Sequence, residues 1–269
     1  MLGRAWAELL HAQGVDYVGT VRADLDLNHP SALERHVTPG TRWVVNCAAY
    51  TMVDAAEQDE ELANEINGHA VGRLAERCNT VGAKLIHYST DYVFDGATME
   101  PYPTDHPLNP VNAYGRSKAL GEELIERSGV EHLLVRTSWL YAPWGKNFVL
   151  TMRELTKARD SLRVVDDQRG RPTDCRRLAE VSLALVEAGS RGTFHVTDGG
   201  DCTWCGLATL IAEVVNPECR VQPCSTDEFP RPAPRPAYSI LDVAATEHVV
   251  GRLIPWEDRV RDVLARVKR

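Results

Sequence analysis

The fold of this chain is decided by LIHYSTDYVFDG at residues 85–96 and NAYGRSKALGEEL at residues 112–124. The first stretch is apolar and β-branched and ends in a Ser-Thr-Asp triplet, which is typical of a buried strand with polar side chains at its carboxyl end. The second stretch predicts a helix with Asn112 as its N-cap, and this helix places Tyr114 and Lys118 on one face. A strand-end hydroxyl beside such a pair predicts an acid–base site.

A tyrosine and a lysine one helical turn apart have a chemical use. The pKa of a free tyrosine is about 10, and a nearby ammonium is expected to lower the pKa of Tyr114 by stabilising its phenolate. The bare Tyr-x-x-x-Lys spacing is also typical of an exposed surface pair. A βα unit can bring Thr90 back beside Tyr114, so we predict Thr90, Tyr114 and Lys118 as catalytic residues. Asp91 lies where strand ends meet ligands, and capping of the next turn is compatible with that role.

Composition excludes several classes of protein. The chain has 269 residues, 43% hydrophobic and 25% charged, and a formal net charge of -8, which argues against nucleic acid as a partner. No apolar run approaches the roughly 20 residues of a membrane span, and no signal peptide is recognisable, so we expect a cytoplasmic protein.

Seven scattered cysteines indicate reduced thiols. Cys202 and Cys205 form a CxxC, but incidental thiols on a helix are the better interpretation and no metal is assigned.

Helical and strand patterns alternate along the first half of the chain. That alternation predicts an α/β fold with a doubly wound parallel sheet and helices on both faces. We predict helices at residues 2–12, 30–36, 53–82 with a break near Gly68, 114–127, 147–157, 175–187, 203–215, 241–246 and 256–267, and strands at residues 16–22, 42–48, 84–89, 132–137, 162–165, 192–196 and 219–223.

The amino terminus departs from a complete nucleotide-binding fold, which begins with a strand and a glycine-rich turn. This chain has Gly3 alone at the head of its first helix. We therefore expect a Rossmann-like fold that is N-terminally truncated, starts inside the glycine loop, and binds its cofactor poorly. Residues 1–140 are expected to form the dinucleotide-binding domain. Residues 141–269 are expected to form mostly a smaller substrate-binding lobe, with some segments returning to the sheet.

Several motifs together resemble one known family. HYSTDYVFDG, NAYGRSKALGE, RTSWLYAPWGKNF, DDQRGRPT and RPAYSILD are similar to the dTDP-4-dehydrorhamnose reductase family, a branch of the extended short-chain dehydrogenases/reductases. The resemblance covers nearly the whole chain. It implies a cytoplasmic oxidoreductase of dTDP-rhamnose biosynthesis that uses NADPH or NADH to reduce the C4 ketone of a dTDP-4-keto-6-deoxy sugar, and a possible homodimer.

The resemblance also implies roles for individual residues. Thr90 would orient the ketone oxygen, Tyr114 would protonate it, and Lys118 would bind the nicotinamide ribose. Asp91 and Trp139 would contact the substrate, although core packing is the alternative for Trp139. The residues that match cofactor-binding positions, besides Tyr114 and Lys118, are Gly3, Asp26, Leu27, Ala49, Tyr50 and Thr51.

Five arginines are further candidates for binding the phosphates of the cofactor and of the substrate that the resemblance implies. Arg22 lies at the end of the strand predicted at residues 16–22, which is the second strand of a complete fold and the place where a 2′-phosphate would lie. It modestly favours NADPH over NADH, with a solvated surface residue as the alternative. The candidates for the substrate diphosphate, with a solvated loop as the alternative for each, are Arg169, Arg171, Arg231 and Arg235.

Two other functions stay open. The same chemistry could act on a related sugar, as a deoxysugar 4-ketoreductase or a dihydrostreptose synthase of antibiotic biosynthesis. A relative of the family is a non-catalytic regulatory subunit of methionine adenosyltransferase. The intact Thr90, Tyr114 and Lys118 favour catalysis over that binding role.

Overall fold

The computed structural model describes residues 1–267 of the chain. The strands are β1 (Trp43–Asn46), β2 (Lys84–Thr90), β3 (His132–Thr137), β4 (Leu140–Tyr141), β5 (Ser161–Val165), β6 (Arg169–Gly170), β7 (Thr173–Asp174), β8 (Gly192–His195), β9 (Cys202–Thr203) and β10 (Arg220–Cys224). The α-helices are α1 (Leu2–Ala12), α2 (Pro30–His36), α3 (Val53–Ala56), α4 (Glu60–Asn64), α5 (Ala70–Val81), α6 (Ala113–Ser128), α7 (Phe148–Ala158), α8 (Cys175–Glu187), α9 (Trp204–Val215), α10 (Ala244–Val250) and α11 (Trp256–Arg266).

The main sheet has the strand order β1-β2-β3-β8, and every pair in it is parallel. Its strands are apolar on both sides because helices cover both faces. Ile86 and Leu133 contribute to a core shared with α1 and α8, whereas Leu85 and Leu134 contribute to a core on the other face with α5. The predicted doubly wound parallel sheet is therefore confirmed.

Most predicted elements exist within one or two residues of the expected bounds. The helix predicted at residues 53–82 is interrupted at residues 57–59, between α3 and α4, rather than near Gly68. Near Gly68 it continues as a π-helix at Glu65–His69, which joins α4 to α5. The helix expected at residues 241–246 was misplaced, because Leu241 pairs with Tyr102 in a β-bridge and α10 begins only at Ala244.

The strand predicted at residues 16–22 is wrong. These residues form no strand, and Val18 and Val21 are 84% and 66% exposed. An extended segment needs a neighbouring strand to satisfy its backbone groups. Within residues 1–267, β1 pairs only with β2, so no strand lies on the other side of β1 to connect residues 16–22 to the sheet. Residues 16–22 therefore lie on the surface without a partner.

The segments after β3 build a second apolar core. The parallel pair of β5 and β10 packs with α7, α9 and α11 around Leu207 and Val260. Cys202, Cys205 and Cys219 lie within this core as free thiols. No helix in the described range is long and apolar enough to cross a membrane.

Candidate active site

The site lies at the carboxyl edge of the main sheet. Because β1, β2 and β3 run parallel, their last residues meet at one edge, where α/β folds bind ligands. This edge brings together the turn after Asn46, the triplet at the end of β2, and Trp139 after β3. Gly3, at the start of α1, lies against the same edge, since a Cβ placed on it would be 3.7 Å from the Cβ of Cys47.

Thr90 ends β2 and turns the chain into a short 3₁₀ helix at Asp91–Val93. Its hydroxyl accepts the amide N–H of Tyr92 at 3.2 Å and donates to Oδ1 of Asp91 at 3.0 Å. Oδ2 of Asp91 is buried without a hydrogen-bond partner among the described residues, as is Oγ of Ser89. Buried polar atoms are normally paired, so these two atoms indicate a place where a polar ligand is bound.

Asp91 is 2% exposed, and burial raises its pKa to about 6 despite the hydrogen bonds that lower it. At neutral pH most of the Asp91 side chain is still a carboxylate. Asp91 therefore offers an unpaired acceptor to a hydroxyl group at the strand end.

Helix α6 carries Tyr114 and Lys118 to this edge. Asn112 caps the helix as predicted, accepting the amide N–H of Gly115 at 2.7 Å. Gly115 lets α6 approach closely, because a Cβ there would overlap the carbonyl oxygen of Tyr92. The ring of Tyr114 meets that of Tyr92 edge-on, with centroids 5.9 Å apart.

The expected lowering of the tyrosine pKa is wrong for this structure. Burial raises the pKa of Tyr114 to about 12, although a hydrogen bond with Thr90 opposes it. Lys118 does not relieve this effect because its amino group is turned inward, 2.6 Å from the carbonyl oxygen of Tyr88 and 3.1 Å from Nε2 of His87. A tyrosine with a raised pKa stays protonated at neutral pH and can serve as a proton donor.

The turn after β1 is fixed by one buried asparagine. Asn67 accepts the amide N–H of Tyr50 at 2.8 Å and donates to the carbonyl oxygen of Tyr50 at 2.9 Å. It also donates to the hydroxyl of Ser117 on α6, at 2.9 Å. Ala49 and Thr51, on either side of Tyr50, are left exposed at the edge. The predicted cofactor-contacting turn is thus held in place relative to α6.

The residues expected near the adenine end lie farther from the sheet. Arg22 is exposed, with its Nε 3.6 Å from Asp26, and Asp26 accepts the amide N–H of Asn28 at 3.0 Å. Leu27 packs against the core beside α2 and α5. Arg22 and Asp26 are therefore neighbours on the surface, and the structure does not bring them to Tyr114.

Trp139 has one ring face covered. Its ring stacks on Trp204 with centroids 3.5 Å apart and an angle of 12° between the rings, and Gly170 lies against its edge. Trp139 is the only non-glycine residue in the described range with a positive φ, at 46°. Such backbone strain is common at functional sites. The contacts with Trp204 and Gly170 therefore support the alternative of core packing for one face and one edge of the Trp139 ring.

The four candidate arginines differ in their partners. Arg169 pairs with Asp201 and Arg235 with Asp54, each at 2.6 Å. Within residues 1–267 no ion pair is formed by Arg231, which is exposed, or by Arg171, which is half-buried. The carbonyl oxygen of Arg171 accepts the hydroxyl of Ser138 at 2.6 Å, which ties its loop to the end of β3. Arg171 is therefore the best placed of the four to meet an anion.

Sequence reasoning missed several residues that shape this site. His87 lies inside an apolar strand, and Asn67 and Trp204 lie on helices far from the motifs. The one sequence signal that could have found His87 is that it is a histidine within an otherwise apolar strand pattern. Their contacts with Lys118, Tyr50 and Trp139 depend on long-range packing.

Comparisons with known proteins agree on one family. A family model described as the RmlD substrate binding domain matches residues 1–269. The dTDP-4-dehydrorhamnose reductase of Mycobacterium tuberculosis is 43% identical, covering 94% of this chain and 86% of that protein. The crystal structure of a dTDP-4-dehydrorhamnose reductase from Clostridium acetobutylicum has a TM-score of 0.94 and 38% identity, covering 98% of this chain and 95% of that one. The enzyme of the same name from Bacillus anthracis, solved in complex with NADP, has a TM-score of 0.92 and 35% identity with the same coverage.

Proposed function

Because the chain belongs to the family of the RmlD substrate binding domain, we propose that it reduces the C4 ketone of a dTDP-4-keto-6-deoxy sugar, with NADPH as the hydride donor. The two solved relatives and the mycobacterial relative are named dTDP-4-dehydrorhamnose reductases. With dTDP-4-dehydrorhamnose as the substrate, the product of this reaction is dTDP-L-rhamnose. The observation that carries the proposal is the meeting of Thr90, Asp91 and Tyr114 at one sheet edge, with two buried polar atoms unpaired beside them.

The residues at this edge fit a dinucleotide. Helix α1 has no side-chain cap, so the amide N–H groups of its first turn are free to bind a pyrophosphate. Ala49 and Thr51 are exposed beside it, and Lys118 lies at the other end of the edge. Arg22, exposed on the surface, supports NADPH over NADH. When bound, the cofactor supplies the hydride that reduces the ketone.

The chain's own residues supply the proton and the orientation. As the ketone gains a hydride, negative charge develops on its oxygen, and two preorganised O–H donors stabilise that charge. Tyr114 is one donor, and Thr90 becomes the other when its O–H turns from Oδ1 of Asp91 to the ketone oxygen. The raised pKa of Tyr114, about 12, keeps the phenol protonated until the more basic alkoxide takes its proton. Lys118 would hold the nicotinamide ribose through the part of its amino group that does not bind the carbonyl oxygen of Tyr88.

The substrate is proposed to lie between the sheet edge and the C-terminal segments. Asp91 offers its unpaired Oδ2 to a sugar hydroxyl, and the Trp139 ring, stacked on Trp204, contacts the sugar. Arg171 meets the diphosphate because its charge has no ion-pair partner among residues 1–267. Residues 141–269 thus provide most of the substrate lobe, while β8 returns to the sheet. Free cysteines and a nucleotide-sugar substrate are consistent with a cytoplasmic enzyme. The homodimer remains a prediction, which a measurement of the molecular mass in solution by sedimentation equilibrium would test.

The test is turnover of dTDP-4-dehydrorhamnose, followed by the loss of NADPH absorbance. The wild-type chain is expected to turn over at NADPH concentrations high enough to offset the poor cofactor binding that the sequence predicts. Tyr114→Phe removes the acid and keeps the ring, so kcat is expected to fall by roughly 10²- to 10⁴-fold while the sugar nucleotide still binds.

Tyr102→Phe is the matched control. Tyr102 is buried and donates to Asp95 at 2.7 Å, away from the strand ends, so its loss should affect stability and leave kcat unchanged. Full activity in Tyr114→Phe would contradict the assignment of the acid. A wild-type chain that binds both ligands and never turns over would instead favour the non-catalytic binding role.

A further inference from the structure

The proline-rich segment at residues 229–237 runs from the substrate lobe to helix α6. The carbonyl oxygen of Pro234 accepts a hydrogen bond from Nδ2 of Asn112, the cap of α6, at 2.9 Å. Pro236 is buried against Gly96, since a Cβ placed on that glycine would be 2.6 Å from the Cβ of the proline. The segment therefore rests on the cap of α6 and on the loop that follows β2.

Arg235 anchors this segment to the cofactor side of the site. Its Nη1 donates to Oδ1 of Asp54 at 2.6 Å, and the amide N–H of Ala233 donates to the same oxygen at 3.3 Å. The side chains of Arg235 and Asp54 are 16% and 35% exposed. Burial raises the pKa of Asp54, but these hydrogen bonds outweigh it and hold that pKa below its usual value. A charged pair thus joins the substrate lobe to α3, the helix that follows the cofactor-contacting turn.

A second carboxylate next to α3 fixes the start of α6. Oε1 of Glu57 accepts the amide N–H of Ala113, the first residue of α6, at 2.7 Å. Asp54 and Glu57 therefore bring the proline-rich segment and the start of α6 to the same short stretch of chain.

Arg235 also reaches the tyrosine that packs on the proposed acid. Burial raises the pKa of Tyr92, and a hydrogen bond from the Arg235 guanidinium to the Tyr92 hydroxyl opposes this effect. The ring of Tyr92 meets that of Tyr114 edge-on, with centroids 5.9 Å apart. The amide N–H of Tyr92 donates to Oγ1 of Thr90 at 3.2 Å. Tyr92 therefore contacts both proposed O–H donors, and Arg235 holds its hydroxyl end.

We propose that Arg235 is a positioning residue for Tyr114 and acts through Tyr92. Asp54 anchors the guanidinium, and the guanidinium holds Tyr92 against the ring of Tyr114. The inference rests on the proposed function, in which Tyr114 and Thr90 donate to one ketone oxygen. Two donors stabilise the same oxygen only when both point at it, and a misplacement of about 1 Å can cost up to roughly 10²-fold in rate. This role replaces the diphosphate contact for Arg235.

The kinetic test compares two single variants and their combination in the reductase assay. Tyr92→Phe removes one hydroxyl and keeps the ring. Arg235→Lys keeps the charge that pairs with Asp54, but its compact ammonium lacks the planar fork that binds two partners. Each variant is expected to lower kcat by about 10-fold with little change in either KM. The double variant should be no slower than the slower single variant, because both substitutions break the same contact.

Arg163→Lys is the matched control. Arg163 pairs with Glu228, directly before the proline-rich segment, and the two side chains are 51% and 46% exposed. Exposed pairs contribute little, so this variant should leave kcat and both KM values unchanged.

A second measurement needs no turnover. The chain has eight tyrosines, so ¹³Cζ-tyrosine labelling gives few NMR signals, and Tyr92→Phe and Tyr114→Phe assign the two of interest. Without cofactor or sugar, Arg235→Lys should shift the signals of both Tyr92 and Tyr114. Arg163→Lys should shift neither.

An unchanged Tyr114 signal in Arg235→Lys, or an unchanged kcat in Tyr92→Phe, would overturn the proposal. Losses that multiply to about 100-fold in the double variant would also overturn it, because they would be independent. A higher KM for the sugar nucleotide with kcat retained in Arg235→Lys would assign Arg235 to the diphosphate instead. Tyr92→Phe loses only a hydroxyl, so the test does not depend on the folding of Arg235→Lys. A wild type without turnover, with both tyrosine signals shifted in Arg235→Lys, would count against the proposed function and support the contact.

Discussion

The ion pair between Arg136 and Glu122 ties the helix of the proposed acid to the centre of the sheet. Nη2 of Arg136 is 2.7 Å from Oε2 of Glu122, and its Nε is 3.1 Å from each carboxylate oxygen. Nη1 donates to the carbonyl oxygen of Thr104 at 2.8 Å. The two side chains are 7% and 6% exposed. Removal of the arginine leaves the carboxylate buried without its partner.

Arg136→Met is therefore expected to be strongly destabilising. Breaking a buried ion pair costs about 3–5 kcal/mol, and the freed carbonyl oxygen adds about 1 kcal/mol, against some gain from the apolar methionine. We expect a loss of about 4 kcal/mol in the free energy of unfolding, which corresponds to a fall in Tm of roughly 8–16 °C.

Urea unfolding at neutral pH, followed by circular dichroism, measures this loss. Glu122→Met combined with Arg136→Met removes both charges and should restore most of the stability. The matched control is Arg116→Met on the same helix, whose pair with Glu60 is 44% and 39% exposed and should cost less than about 1 kcal/mol. A loss below about 1 kcal/mol in Arg136→Met, or a double variant no better than the single one, would refute the reasoning.

Two further predictions concern the substrate side of the site. Because burial raises the pKa of Asp91 to about 6, kcat/KM should fall as the pH drops below that value. Asp91→Asn should lower the plateau of kcat/KM and remove its fall at acidic pH. If the variant keeps the same fall at acidic pH, a group other than Asp91 causes it. A Cβ in Gly170→Ala would lie 2.7 Å from Cε2 of Trp139 and push that ring off Trp204. We expect a stability loss of about 1–3 kcal/mol and a higher KM for the sugar nucleotide with a smaller effect on kcat, whereas an unchanged KM would mean that Trp139 does not contact the sugar.

Local sequence signals were sufficient for much of the fold and for part of the site. Three signals each depend only on neighbouring residues of a single element, and all three appear in the structure: the apolar run of β2, the cap at Asn112, and the spacing of Tyr114 and Lys118. The strand predicted at residues 16–22 failed for a different reason. Its β-branched residues fit a strand, but a strand also needs a neighbour, and the sequence of the segment does not contain that neighbour.

The sequence by itself determined which elements form, which end of the sheet carries hydroxyl and carboxyl groups, and which helix presents the tyrosine and the lysine. Only the tertiary structure decided the environment of those groups. His87 and Asn46 reach Lys118 from two other elements, and Trp204 reaches Trp139 from a third. Burial, rather than the nearby lysine, set the direction of the Tyr114 pKa. Short-range patterns fix local geometry, whereas proton affinity depends on desolvation and on partners that only folding brings together.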